Sequence, residues 1–310
     1  MDERLKRESM KLKFDELKKI YGDNVYKDEI LSKYSWFNLG GPSEIFFRPN
    51  SVAQLSSFLR EVKKINKKIT ILGAGSNTLI RDSGVNGVTI KLGSKFSFLN
   101  LINDDTIHAG AATLDKNISN FARDNSLSNF EFLSCIPGSL GGGIVMNSGC
   151  YKNEISKILV SVEVIDSNGK IFEIEKNKIN FFYRGCNLPD NLIILSAKLK
   201  GFKLDKSKIE NKQNEFINKK KDSQPSQIKT CGSTFKNTKN FKAWELIKKS
   251  NCDKMFVGEA KISPKHCNFF VNEGNAKASE IEQLINKTKE KVFEKTGINL
   301  ELEIKIIGER

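Results

Sequence analysis

A chain of 310 residues, 38% apolar and 28% charged, is long enough for two or three domains and ordinary for a globular protein. No apolar run approaches the ~18 residues of a membrane-spanning helix, and residues 1–22 are charged throughout, without the apolar stretch of a secretory signal. Two histidines and six scattered cysteines with no CxxC spacing exclude a histidine-rich metal site and give no basis for a zinc site or a disulfide framework.

The net charge of +14 comes from lysines spread along the chain, which reads as a lysine-rich surface more than as a nucleic-acid footprint. These features lead us to expect a cytoplasmic protein with reduced thiols, no bound metal, no membrane insertion and no nucleic-acid partner.

In chain order, residues 1–22 predict an amphipathic helix with Leu12, Phe14, Leu17 and Ile20 as its stripe. After Trp36, which reads as a core residue, short strands and glycine turns take over. Thr70-Ile71-Leu72 enters Gly73, and Val88 to Leu92 and Thr106 to Ala109 are further strands. Val160, Val162 and Val164 alternate, Asp166-Ser167-Asn168-Gly169 supplies turn residues, and Ile171 to Ile174 returns as a hairpin. Leu192 to Leu199 is another strand. The charged segment 202–222, anchored by Leu204, Ile209, Phe216 and Ile217, predicts a linking helix. Ser279 and Glu282 suggest a capping box ahead of Ile281, Leu284, Ile285 and Val292, with Gly297 as the stop. Leu300 to Ile306 alternates with period two, a strand with one buried face. The class is α+β, divided as 1–32 (helical extension), 33–201 (split near 95), 202–222 (linker) and 223–310.

Two segments carry chemistry. Gly73-Ala74-Gly75-Ser76-Asn77 follows a strand and lets backbone N–H groups approach a phosphate. It lacks the third glycine of a dinucleotide fingerprint and the Gly-Lys-Ser/Thr of a Walker loop, so alone it is equally a tight turn. Pro137-Gly138-Ser139-Leu140-Gly141-Gly142-Gly143, continuing to Asn147-Ser148-Gly149, concentrates glycine among Ile, Leu, Val and Met. A flexible linker would not carry those apolar residues, which points to a ligand against the backbone.

The stretches ILGAGSNTLIRD, FEFLSCIPGSLGGGIVMNSG, FFYRG, GSTFKN, KHCNFFVN and LELEIKIIGE occur in that order from about Trp36 to Gly308. Together they resemble the UDP-N-acetylenolpyruvoylglucosamine reductase (MurB) family, in its shorter second type without the tyrosine-bearing insertion. The resemblance implies an FAD-binding domain of the vanillyl-alcohol-oxidase-like (PCMH) type in two subdomains, plus a C-terminal α+β substrate-binding domain. FAD would be held noncovalently, with Gly73, Ala74, Gly75, Ser76, Asn77, Pro137, Gly138, Ser139, Gly141, Gly142, Asn147 and Gly149 as its contacts. NADPH would be the hydride donor, and the partner a UDP-sugar enolpyruvyl ether; the sequence does not give the oligomeric state, and a monomer is the favoured expectation.

The resemblance also places three catalytic residues. Arg184, after Tyr183, would grip the carboxylate and the enolate-like charge with parallel hydrogen bonds. Ser233 would donate the proton to C2, with help from Lys236 or water because a lone hydroxyl is a poor acid. Glu303, the second acid of the terminal LExE, would act as an acid or orient a water. Tyr183, Lys236 and Asn237 are expected substrate contacts. Without the resemblance, a loop serine bonding its own backbone and an edge-strand glutamate in water are the ordinary fates. Gly185-Cys186 departs from the family after the arginine, and Thr238 replaces a proline. His266 and Asn268 read as structural. The rival readings are an oxidase of the same fold with histidine- or cysteine-tethered flavin, or a basic nucleic-acid binder. His108, the only histidine in the flavin domain, lies outside both loops, and no nucleic-acid motif occurs.

Overall fold

The computed structural model describes residues 14–310, arranged as two compact units. The first comprises the chain up to Glu29, Ser43–Gly73 and Val85–Lys206; the second comprises Ile30–Pro42, Ala74–Gly84 and Ser207–Arg310.

The first unit holds two sheets. One orders Val25–Ile30, Pro42–Phe47, Val85–Ile90 and Ile69–Ile71, with the last three strands parallel. Parallel neighbours need a crossover, and Val52–Lys64 supplies it. Ser51 accepts a hydrogen bond from Gln54 N as N-cap, and Leu55, Phe58, Leu59 and Val62 form the buried stripe. Phe58 stacks on Phe47 at 3.6 Å between ring centroids. The helix over residues 14–21 adds Leu17 and Tyr21, whose ring meets both phenylalanines edge-on. Ile20 is 61% exposed: Tyr21 at i+4 from Leu17 takes the inward place that the apolar pattern gives to Ile20. Leu12 lies outside the described residues.

The second sheet is antiparallel, ordered Ile171–Glu175, Leu159–Ile165, Ile193–Lys200, Thr106–Gly110 and Leu99–Asn103. The expected hairpin is there: Asp166 accepts hydrogen bonds from the Asn168 and Lys170 N–H groups, and Gly169 takes φ +76°. Leu159–Ile165 is a central strand and is buried on both faces, so its alternation is blurred.

The second unit is built on the helix Ala278–Thr296 and a three-stranded sheet of Phe256–Val257, Ala260–Ile262 and Phe270–Asn272. Its core includes Phe37, Leu79, Phe235, Phe270, Ile281, Leu284, Leu300 and Ile304. Residues 74–84 join it because Thr78–Ile80 pairs in parallel with Lys305–Ile307, a register that bridges more than two hundred residues. The contiguous division near 201 is thereby replaced by an interleaved one. The terminal strand is shorter than its alternation suggests; the chain bends at Glu303-Ile304, yet Leu300 and Ile304 stay buried. Trp36 is 48% exposed, so the expected core role falls instead to its neighbour Phe37.

The helix Ala278–Thr296 begins two residues earlier than a Ser279–Glu282 box requires. Glu280 reaches back to the Lys277 N–H, while Glu282 pairs with Arg81 at 2.9 Å. The free N–H groups of Ala278 and Ser279 are taken by the Asp82 carboxylate at 2.8 and 2.9 Å. Burial works to raise the Asp82 pKa, but the hydrogen bonds from Ser279 and Ala278 outweigh it and hold the carboxyl below its usual range. Asp82→Ala is therefore expected to lower stability by about 1 kcal/mol, read as a fall in the urea midpoint at neutral pH. Gly297, at φ +69°, closes the other end through its N–H to Phe293 O, as the sequence predicts.

Candidate active site

In the first unit the glycine-rich segment 138–143 folds back on Leu114 and Asp115. Asp115 N donates to Gly138 O at 3.1 Å, and Gly141 N donates to Ala111 O at 2.9 Å. A Cβ on Gly138 would sit 2.8 Å from Asp115 Oδ2, one on Gly143 would sit 2.5 Å from Ile155, and one on Gly149 would sit 2.1 Å from Asn153 O. Much of the glycine content thus serves close packing of the protein on itself, where the sequence pattern points wholly to a ligand. Gly142 differs: it is exposed, with no foreign atom nearer than 3.9 Å to its absent side chain.

The first glycine of the other loop lies beside this segment within the unit, since a Cβ on Gly73 would lie 3.2 Å from Ser139 Oγ. Behind Gly73 its carbonyl accepts from the Lys91 ammonium. Burial first, and Arg48 second, lower the Lys91 pKa to about 8. Two bare backbones side by side, with one glycine face open, fit the close approach of a dinucleotide pyrophosphate. Asn147 spends its side chain on the protein, donating to Phe182 O at 3.2 Å and accepting from Ser156 N at 3.1 Å, so its side chain acts as a brace.

The brace positions a hairpin. Phe181–Phe182 pairs with Gly185–Cys186, and Tyr183-Arg184 form its two-residue tip. Arg184 takes φ +60°, and its guanidinium lies 4.9 Å from the Tyr183 ring centroid. Tyr183 is 46% exposed. Stacking on the ring orients a planar, permanently charged group that carries paired donors.

In the second unit, Ser233, Glu303 and Asn77 are brought together. Ser233 bridges to Phe269, Phe235 bridges to Leu302, and Glu303 N donates to Thr234 O at 2.8 Å. Asn77 Nδ2 donates to Glu303 O at 3.0 Å, and Lys305 N donates to Asn77 O at 2.9 Å. A hydroxyl, a carboxylate and the second half of the first glycine loop therefore share one hydrogen-bonded backbone framework. Gly75, at φ +71°, faces Tyr34 O, where a Cβ would fall 1.8 Å away. Its carbonyl accepts from Trp36 N at 3.0 Å.

We expect Gly75→Ala to destabilise the fold by more than 1 kcal/mol, through φ strain and backbone collision together. Thermal melts and flavin content of the purified variant check this.

Lys236 Nζ stands 3.5 Å from Glu301, and Asn237 Oδ1 accepts from Ala243 N at 3.0 Å, beginning the Ala243–Lys249 helix. Asn268 is buried and bonds both the N–H and the carbonyl of Phe235, holding the segment that carries Ser233. His266 accepts from Asn268 N at 3.3 Å and packs edge-on against Phe269; burial lowers its pKa. These bonds tie both residues to backbone groups. His108 Nε2 pairs with Ser196 Oγ at 3.0 Å.

Asp115 is not singled out by the sequence pattern, although it opens a helix, Asp115–Asp124, whose Ile118 and Ala122 are spaced four apart and buried. It is fully buried between the glycines of the second loop, and its two oxygens have no hydrogen-bond partner among the described residues. Burial raises its pKa to about 7.

A parallel and an antiparallel sheet carrying two glycine loops, with a further α+β unit, fit an FAD-binding oxidoreductase. Residues 43–175 match the family model of an FAD binding domain, and residues 224–307 match that of the UDP-N-acetylenolpyruvoylglucosamine reductase C-terminal domain. A UDP-N-acetylenolpyruvoylglucosamine reductase of Pelagibacter ubique is 48% identical over 283 residues, covering 90% of this chain and 93% of the relative. One of Rickettsia bellii is 45% identical over 282 residues, covering 91% and 93%. The crystal structure of the Thermus caldophilus reductase superposes with a TM-score of 0.79 at 30% identity, covering 90% of this chain and 97% of that one. The chain belongs to the UDP-N-acetylenolpyruvoylglucosamine reductase family.

Proposed function

We propose that the protein reduces UDP-N-acetylglucosamine enolpyruvate to UDP-N-acetylmuramate with electrons from NADPH, in peptidoglycan precursor synthesis. Bound FAD supplies the hydride chemistry at the enol-ether carbon C3. Gly73, Ala74, Gly75, Ser76 and Asn77, together with Pro137, Gly138, Ser139, Gly141, Gly142, Asn147 and Gly149, would hold it, Asn147 through its backbone.

The protein's own part is to handle the charge that appears on C2 and its carboxylate. Arg184 grips the carboxylate, and its permanent charge favours the enolate over the ground state. Ser233 delivers a proton to C2 from its hydroxyl. Glu303 acts as the acid that restores the hydroxyl proton, or orients a water that does so. Tyr183, Lys236 and Asn237 place the sugar nucleotide. The enzyme works in the cytoplasm and contributes to cell-wall biogenesis, and thereby to cell shape and division.

The observation that supports this reading most directly is the strand pairing that sets Ser233 and Glu303 on hydrogen-bonded neighbours beside Asn77. The test is anaerobic stopped-flow absorbance. The purified yellow protein is expected to bleach with NADPH and to recolour with the enolpyruvyl sugar. A flavin that bleaches but is not recoloured by that sugar would reject the substrate assignment.

A further inference from the structure

Two cysteines bracket the second glycine loop. Cys135 closes the turn Glu131–Cys135 just before Ile136-Pro137, and Cys150 follows Gly149 in a short hairpin with Asn153–Glu154. Their Sγ atoms lie 3.8 Å apart, and both thiols point at the same acceptor, Phe132 O, each at 3.4 Å. A disulfide needs ~2.05 Å between sulfurs, so the two sulfurs have less than 2 Å left to close. The backbone on both sides is already fixed, by the turn at Cys135 and by the pairing of Cys150 with Asn153. Cys135 is buried, while Cys150 is partly exposed. The other cysteines are placed differently. Cys231 is buried, and desolvation lifts its pKa to about 12; burial lifts Cys267 to about 11 and also raises Cys252 and Cys186.

We propose that Cys135 and Cys150 are a peroxide-sensitive dithiol that closes into a disulfide clasp across the neck of the 136–149 loop. The oxidant is a hydroperoxide, the class that reduced flavins generate in air. The Cys150 thiolate attacks one peroxide oxygen. The O–O bond breaks, one oxygen leaves as water after taking a proton, and the other remains on sulfur as a sulfenic acid. Cys135 Sγ then attacks that sulfur. The S–O bond breaks, and hydroxide leaves as water with the Cys135 proton. Two thiols lose two electrons, and one hydrogen peroxide becomes two waters. A thiol reductant reverses the bond by exchange. The dithiol stands on the sulfur geometry alone, so it is tested separately from the proposed reaction.

The chain offers a direct readout, because no lysine or arginine lies between Arg123 and Lys152, and one tryptic peptide carries both thiols. The flavin-loaded enzyme is treated with micromolar hydrogen peroxide, denatured with iodoacetamide and digested. The 124–152 peptide is expected to lose about 2 Da and to take no alkyl group, then to take two after reduction with dithiothreitol. Cys231 is expected to be alkylated throughout. Cys135→Ser should leave a dimedone-trappable sulfenic acid at Cys150, whereas Cys150→Ser should leave Cys135 unoxidised at the same dose. In the bridged wild type, amides of 136–149 should exchange several-fold more slowly, returning to normal on reduction. Full double alkylation after peroxide, or equal dimedone labelling of Cys135 in Cys150→Ser, would overturn the dithiol. Unchanged amide exchange in the bridged form would overturn the clasp.

Discussion

Ser233→Ala is expected to slow reduction of the enolpyruvyl sugar by about 10²–10⁴-fold, the range for losing a positioned proton donor, while reduction of the flavin by NADPH keeps its rate. The split follows from where the hydroxyl acts. In the proposed role it meets only the carbanion developing at C2 of the sugar, and NADPH oxidation involves no such charge. Glu303→Ala should depress the same half-reaction, because it removes the carboxylate proposed to act with the Ser233 hydroxyl, while the backbone bond to Thr234 that places it stays. If the two side chains act as one unit, the double variant should be hardly slower than the worse single one, the non-additivity expected of a coupled pair. Rapid-mixing measurement of each half-reaction decides. Unchanged sugar reduction in Ser233→Ala would remove the proton-donor assignment. Equal slowing of both half-reactions in Glu303→Ala would make that residue a structural support.

What is legible in the sequence is local. The Asp166–Gly169 turn and the Gly297 stop depend on neighbours within a few residues, and they stand where the pattern puts them. The helix Val52–Lys64 is absent from the predicted elements, although Ser51 and the spacing of Leu55, Phe58, Leu59 and Val62 mark it. What local reasoning does not reach is pairing over long separations. Nothing in Thr78-Leu79-Ile80 announces a parallel partner at Lys305–Ile307, and so nothing announces that residues 74–84 fold with the C-terminal unit.

The helix start illustrates the same limit. Ser279 and Glu282 have the spacing of a capping box, but Asp82, nearly two hundred residues away, supplies the carboxylate that bonds the first free N–H groups. Ser233 and Glu303 are candidates only through family resemblance. Their nearness arises from an antiparallel pairing across seventy residues, on which side-chain periodicity is silent. The glycines of 138–143 are legible as unusual, but part of their cause is hidden, namely a buried carboxyl occupying the space their side chains would need.

That carboxyl gives the second large expected effect. Asp115 is wholly buried, and desolvation lifts its pKa from 3.8 to about 7. The folded protein therefore holds a proton that the unfolded chain has already released between about pH 4 and pH 7. Raising the pH through that window favours the unfolded state, and the loss is complete above the folded pKa. Asp115→Asn removes the titration and keeps the shape. The variant should match the wild type near pH 4 and gain on it steadily as the pH rises. Above pH 7 the gain should reach roughly 4 kcal/mol, since each tenfold difference in proton affinity between fold and unfolded chain is worth about 1.4 kcal/mol. Urea unfolding at pH 5 and pH 8 measures this directly. The same difference at both pH values would mean that the carboxyl is ionised in the fold, stabilised by hydrogen bonds that form as it charges. The glycine loop would then be resting on an anion at both pH values, and Asp115 would give the binding of a negatively charged pyrophosphate beside it no pH dependence between them.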